Sequence, residues 1–63
     1  MTATQFNRAA RALNYGHSVI LPSGSEIIMF AREYGPEYSL RAKDGQTVIC
    51  TWSLDEIKSI CID

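Results

Sequence analysis

The chain changes period at Ser53, and that change constrains its fold more than any other feature. Before it, Asp44-Gly45 sits between two alternating runs, Ser39 to Lys43 and Thr47 to Trp52, the usual signal of a tight hairpin. After it, Ser53 and Glu56 are spaced as a capping box, in which the hydroxyl accepts from the Glu56 amide and the Glu56 carboxylate accepts from the Ser53 amide. Trp52 and Ile57 are placed as a hydrophobic staple around that cap. A strand is therefore expected to lead straight into a short C-terminal helix.

The same signals recur upstream. Thr2 or Thr4 can cap a first helix to about Tyr15, with Phe6, Ala9 or Ala10, and Leu13 on one face and Gly16 as its stop. His17 to Leu21 suits a strand, and Pro22-Ser23-Gly24 a turn. Glu26 to Arg32 holds Ile27, Ile28, Met29 and Phe30 in unbroken succession, so a strand there carries apolar side chains on both faces of its sheet. Tyr34-Gly35-Pro36-Glu37 reads as the next connection, and Tyr38, Leu40 and Ala42 then alternate with polar residues.

The pattern also suggests a register for the last hairpin. A two-residue Asp44-Gly45 loop would set Leu40 opposite Ile49 and leave Val48 and Cys50 on the polar side. A three-residue loop, Lys43-Asp44-Gly45 with Gly45 left-handed, sets Leu40 opposite Val48 and Tyr38 opposite Cys50, and the apolar pattern favours it. Ile49 then joins Ile28 and Phe30 on the outer face.

These elements predict an α+β domain spanning 1–63: an antiparallel meander of four strands, or three, with the N-terminal helix and the short C-terminal helix on one face. Phe6, Leu13, Ile57 and Ile60 are expected to cover Val19, Ile27, Met29, Leu40, Val48 and Cys50. At 63 residues the chain is near the lower limit for a single apolar core, and a partner subunit would help it. Its 46% hydrophobic and 21% charged content excludes wholesale disorder.

A net charge of -1 gives no drive toward a polyanion, so nucleic acid is disfavoured as a partner. The segment from Met1 to Tyr15 has no continuous apolar run, which argues against a signal peptide or a membrane span and for the cytoplasm. Cys50 and Cys61 lack the close-set spacing of a zinc site and are expected as free, buried thiols. His17 is the single histidine, with no nucleophile placed beside it in sequence. The acids Glu33, Glu37, Asp44, Asp55, Glu56 and Asp63 fall mostly at turns and helix starts, where capping and the helix dipole account for several. The four glycines mark element ends and build no phosphate cradle, so no cofactor, metal or catalytic residue is expected.

An outer sheet face bearing an apolar strip implies a protein partner. Ile28, Phe30 and Ile49, with Tyr34 and Arg41, are the expected contact residues of a non-enzymatic binding module, either a homodimer through its sheet or an inhibitor or adaptor docked on a larger protein. In size, mixed charge and helix-plus-meander plan the chain resembles the small accessory proteins of phages and mobile elements, the anti-CRISPR inhibitors among them. That resemblance implies a protein that blocks a larger host complex by occupying a surface, and it carries no functional residue onto this chain. Many such inhibitors are strongly acidic mimics of nucleic acid, from which the -1 charge departs. The alternative from another class is a small nucleic-acid-binding regulator using Arg8, Arg11, Arg32, Arg41 and Lys43.

Overall fold

A computed structural model describes residues 1–62 and shows two helices on one side of a single antiparallel sheet. Asp63 lies outside the described residues. Helix α1 (Ala3–Ala10) runs into a 3-10 turn over Arg11–Asn14, and the strands β1 (Ser18–Ile20), β2 (Glu26–Arg32), β3 (Gly35–Arg41) and β4 (Thr47–Thr51) follow in spatial order before helix α2 (Leu54–Cys61). This is the expected α+β meander, with all four strands present.

The first helix begins where its cap predicts. The Thr2 hydroxyl accepts from the Gln5 amide at 3.1 Å, and the Thr2 amide donates to the Gln5 side chain at 2.9 Å, a complete capping box. The expected continuous helix to Tyr15 instead tightens into the 3-10 turn, which brings Leu13 inward and leaves Tyr15 exposed. The Ser53 box does not form. Ser53 holds the N-cap position with extended backbone but makes no side-chain capping bond: the Glu56 amide donates to the Ser53 carbonyl at 3.2 Å, and the Ser53 amide donates to the Thr51 hydroxyl at 3.1 Å. The partner that the Glu56 carboxylate needed is thereby taken.

The core is a cluster of Phe6, Leu13, Leu21, Ile27, Leu40 and Ile57, with Val19, Met29, Tyr38, Ile49, Leu54 and Cys61 against it. Ile60 is half-exposed, contrary to expectation. Leu54, Ile57 and Cys61 follow the i, i+3, i+7 stripe of α2, and Ile60 turns off it.

Two hairpins differ from their sequence reading. The β2–β3 connection is only Glu33-Tyr34, so Gly35, Pro36 and Glu37 belong to β3, with Arg32 opposite Gly35 and Ala31 opposite Pro36. Neither turn residue takes a positive φ; Gly35 does, at 122°, which lets so short a turn rejoin the ladder. The β3–β4 loop is the expected Lys43-Asp44-Gly45, closed by the Ala42 amide donating to the Gln46 carbonyl at 2.8 Å and by left-handed Gly45 at φ 92°. The expected register is overturned beyond it. Arg41 pairs with Thr47, but a bulge at Val48 sets Leu40 opposite Ile49, Ser39 opposite Cys50 and Tyr38 opposite Thr51. The extra residue returns Ile49 to the core face, which the helices cover, while Val48 and Cys50 go to solvent.

Candidate functional site

Strand alternation fixes what the open face of the sheet displays. Since Val19, Ile27, Met29, Tyr38, Leu40 and Ile49 touch the core, the alternate residues Glu26, Ile28, Phe30 and Arg32 of β2, and Glu37, Ser39 and Arg41 of β3, lie on the other side. Thr51 is buried and opposite Tyr38, so the next residue, Trp52, returns to the open side. No helix among the described residues covers this face.

Its chemistry is concentrated at the β2–β3 turn. The rings of Tyr34 and Trp52 meet with centroids 5.0 Å apart and planes tilted by 57°, within the contact range of aromatic pairs. Tyr34 is 78% exposed and Trp52 49%, so the pair offers most of its surface to solvent. Beside them Arg32 donates to the Glu37 carboxylate at 3.2 Å and holds its guanidinium carbon 5.2 Å from the Phe30 ring centre. The two charges nearest the aromatics thus satisfy one another. Toward the sheet's centre, Ser39 is buried beneath its longer neighbours, and the Cys50 thiol makes a weak hydrogen bond to its hydroxyl at 3.7 Å.

Of the expected contact residues, Ile28, Phe30 and Arg41 lie on the open face and Tyr34 stands at its rim. Ile49 does not; the bulge places it on the core side, and Trp52 and Cys50 take its place in the strip. Trp52 was absent from the sequence reading of this surface because its position before the helix suggested a staple. The signal that finds it is simple alternation through β4, once Thr51 is recognised as the inward residue. Cys50, expected buried, is exposed.

The basic residues do not assemble. Arg8 and Arg11 lie on the helical layer, where with Thr4 and Asn7 they line a shallow depression of about 250 Å³. Arg32 and Arg41 are on the opposite side of the sheet, Arg32 already paired with Glu37. Lys43 lays its methylenes close to Gly24 of the β1–β2 turn. No continuous basic stripe results. A second open groove of about 410 Å³, between α1 and that turn, is lined by Gln5, Arg8, Ala9, Ile20, Leu21 and Pro22 and holds neither an acid nor a nucleophile.

Among the described residues no three His, Cys, Asp or Glu side chains cluster as metal ligands would. His17 is exposed, and its carbonyl accepts from the Met29 amide at 2.7 Å at the sheet edge. Burial pushes the Cys61 thiol above its ordinary value, opposed by the charged N-terminus, whose nitrogen lies 3.5 Å from the Cys61 carbonyl. That environment suppresses the thiolate that a nucleophile requires. No helix among the described residues is long and apolar enough to cross a membrane. No family model, curated protein or solved structure matches the chain.

Proposed function

We propose that this chain is a non-enzymatic protein-binding module that works through the open face of its sheet. The observation that carries the reading is the juxtaposition of Phe30, Tyr34 and Trp52 with Ile28 on a surface that no helix covers. Aromatic side chains that stay exposed while a core is available to bury them are the usual anchors of protein interfaces. Their neighbouring charges, Arg32 and Glu37, are matched within the chain, so apolar contact rather than charge attraction supplies the affinity. The same pairing weighs against a nucleic-acid surface, which needs unpaired cations along a phosphate track.

The compartment we assign is the cytoplasm, where thiols stay reduced; Cys50 on the open face and Cys61 beside the core are both free. The narrower form of the proposal is an inhibitor or adaptor that occupies a surface of a larger host complex, of which a CRISPR effector is one example. Phe30→Glu with Trp52→Glu tests the surface. The double variant should keep the circular dichroism spectrum of the parent and lose retention of whatever protein the parent captures from host extract. A folded double variant that captures the same protein equally well would rule this face out. Inhibition of a purified CRISPR effector by the parent, and not by the variant, would establish the narrower form.

A further inference from the structure

We propose that the free edge of β1, with the groove beside it under α1, binds an extended segment of a partner protein that carries an aspartate or glutamate next to small aliphatic residues. This site is separate from the open face of the sheet and does not depend on it.

Backbone direction at the edge carries the first half of the inference. β1 is a terminal strand of the sheet and pairs on one side alone. The Met29 amide donates to the His17 carbonyl at 2.7 Å and the Leu21 amide to the Ser25 carbonyl at 2.7 Å, with Val19 opposite Ile27 between them. Odd-numbered residues therefore turn their main-chain groups toward β2, and by antiparallel alternation Ser18 and Ile20 turn theirs away from it. Neither makes a hydrogen bond to a helix or loop among the described residues, which leaves two amides and two carbonyls for one more strand.

The groove supplies what so short an edge lacks. Three residues offer too few main-chain bonds to hold and select a partner by themselves. Along this edge α1 and the β1–β2 turn flank the open groove of about 410 Å³, which lies in the size range of ligand clefts. Its lining joins apolar surface from Ala9, Leu21 and Pro22 to two donors of α1, Gln5 and Arg8. Arg8 forms no ion pair or side-chain hydrogen bond among the described residues, unlike Arg32, which Glu37 matches. Gln5 accepts from the Thr2 amide through its Oε1, so its amide nitrogen is the end left to donate.

Charge decides how the incoming segment is turned. Its side chains alternate between the helical side, where Gln5 and Arg8 lie, and the open side, where Ile20 stands opposite Glu26. A carboxylate gains a cation on the first side and meets a like charge on the second, so the acid belongs under α1. A small aliphatic residue two positions along falls on the same side and meets the apolar lining. The other free edge is less suited, because the bulge at Val48 bends β4 where a further strand would pair.

Nuclear magnetic resonance on the isotope-labelled chain, titrated with the peptide acetyl-Thr-Val-Glu-Val-Ala-Val-Thr-amide, tests the site; the blocked ends leave the glutamate as its one charge. Shift changes should map to Ser18, Ile20 and Leu21 and to Gln5, Arg8 and Ala9, and the Ser18 and Ile20 amides should gain protection from hydrogen exchange. Glutamine in place of the peptide glutamate, or Arg8→Gln in the protein, should each weaken binding roughly twofold to fivefold, as loss of an exposed ion pair does. The two changes together should weaken it no further than one alone.

No shift change at β1 up to the peptide's solubility limit, binding without protection of the Ile20 amide, or losses that simply add would overturn the proposal. The variant Phe30→Glu with Trp52→Glu should bind the peptide as the parent does, and loss of binding in it would place the peptide on the open face instead.

Discussion

Ile27 and Ile28 are neighbours of identical chemistry, yet Ile27 has no exposed surface and Ile28 is only half-buried on the uncovered side of the sheet. On the covered side, apolar residues from both helices and all four strands meet in one cluster. On the open side, apolar residues alternate with charges, and the aromatic rings gather at one turn. The described residues build a helical layer over one face alone, and the apolar residues left on the other are the ones on which the proposed binding surface rests.

The difference between the faces can be broken by truncation. Ile27→Ala should cost about 2–5 kcal/mol, as buried aliphatic truncations do, whereas Ile28→Ala should cost below about 1 kcal/mol in the monomer. Denaturant melts at low protein concentration check this, and equal losses would mean that both faces are core. Smaller effects separate the two helix starts. Thr2→Ala removes the hydroxyl that accepts from the Gln5 amide and should cost about 1 kcal/mol, while Ser53→Ala removes no capping bond and should stay within about 0.5 kcal/mol of the parent.

Thiol chemistry gives the least disruptive comparison. Cys50, exposed on the open side, should alkylate first in the native protein at low concentration, and Cys61 more slowly. Folding raises the Cys61 thiol, so the folded chain retains the proton after the unfolded chain has lost it. Stability from this group is intact below the thiol's ordinary value and declines as pH rises through it. Cys61→Ala should flatten that decline in alkaline melts.

Much of this was legible from residues. The unbroken run from Ile27 to Phe30 announced a sheet with apolar side chains on both faces, and the Thr2 cap, the Pro22-Ser23-Gly24 turn and the three-residue loop at Gly45 all form. The errors have local causes. Thr51, buried, competes for the Ser53 amide, a contact that appears only when the strand is placed. Gly35-Pro36 looked like a turn, but Pro36 enters β3 opposite Ala31 as part of the ladder.

Most consequential was the bulge. The apolar pattern favours Val48 and Cys50 as the inward residues, and the insertion of Val48 that reverses this depends on how Ile49 and Thr51 fit against Leu40 and Tyr38, which is tertiary information. It moved one expected contact residue, Ile49, into the core layer and brought Trp52 beside Tyr34.

That bulge decides which side chains form the proposed binding surface, so a paired substitution across it tests the account most directly. Val48→Glu and Ile49→Glu differ by one position and introduce the same charge, and both can be followed by urea melts. Val48→Glu should remain within about 0.5 kcal/mol of the parent, since its site is already half in water. Ile49→Glu should lose at least about 2 kcal/mol, a large part of the roughly 5 kcal/mol expected for so small a domain, because it sets a carboxylate against the core cluster. The reverse order, with Ile49→Glu tolerated and Val48→Glu unfolding the chain, would contradict the account: Ile49 would then lie on the open face and Trp52 would not.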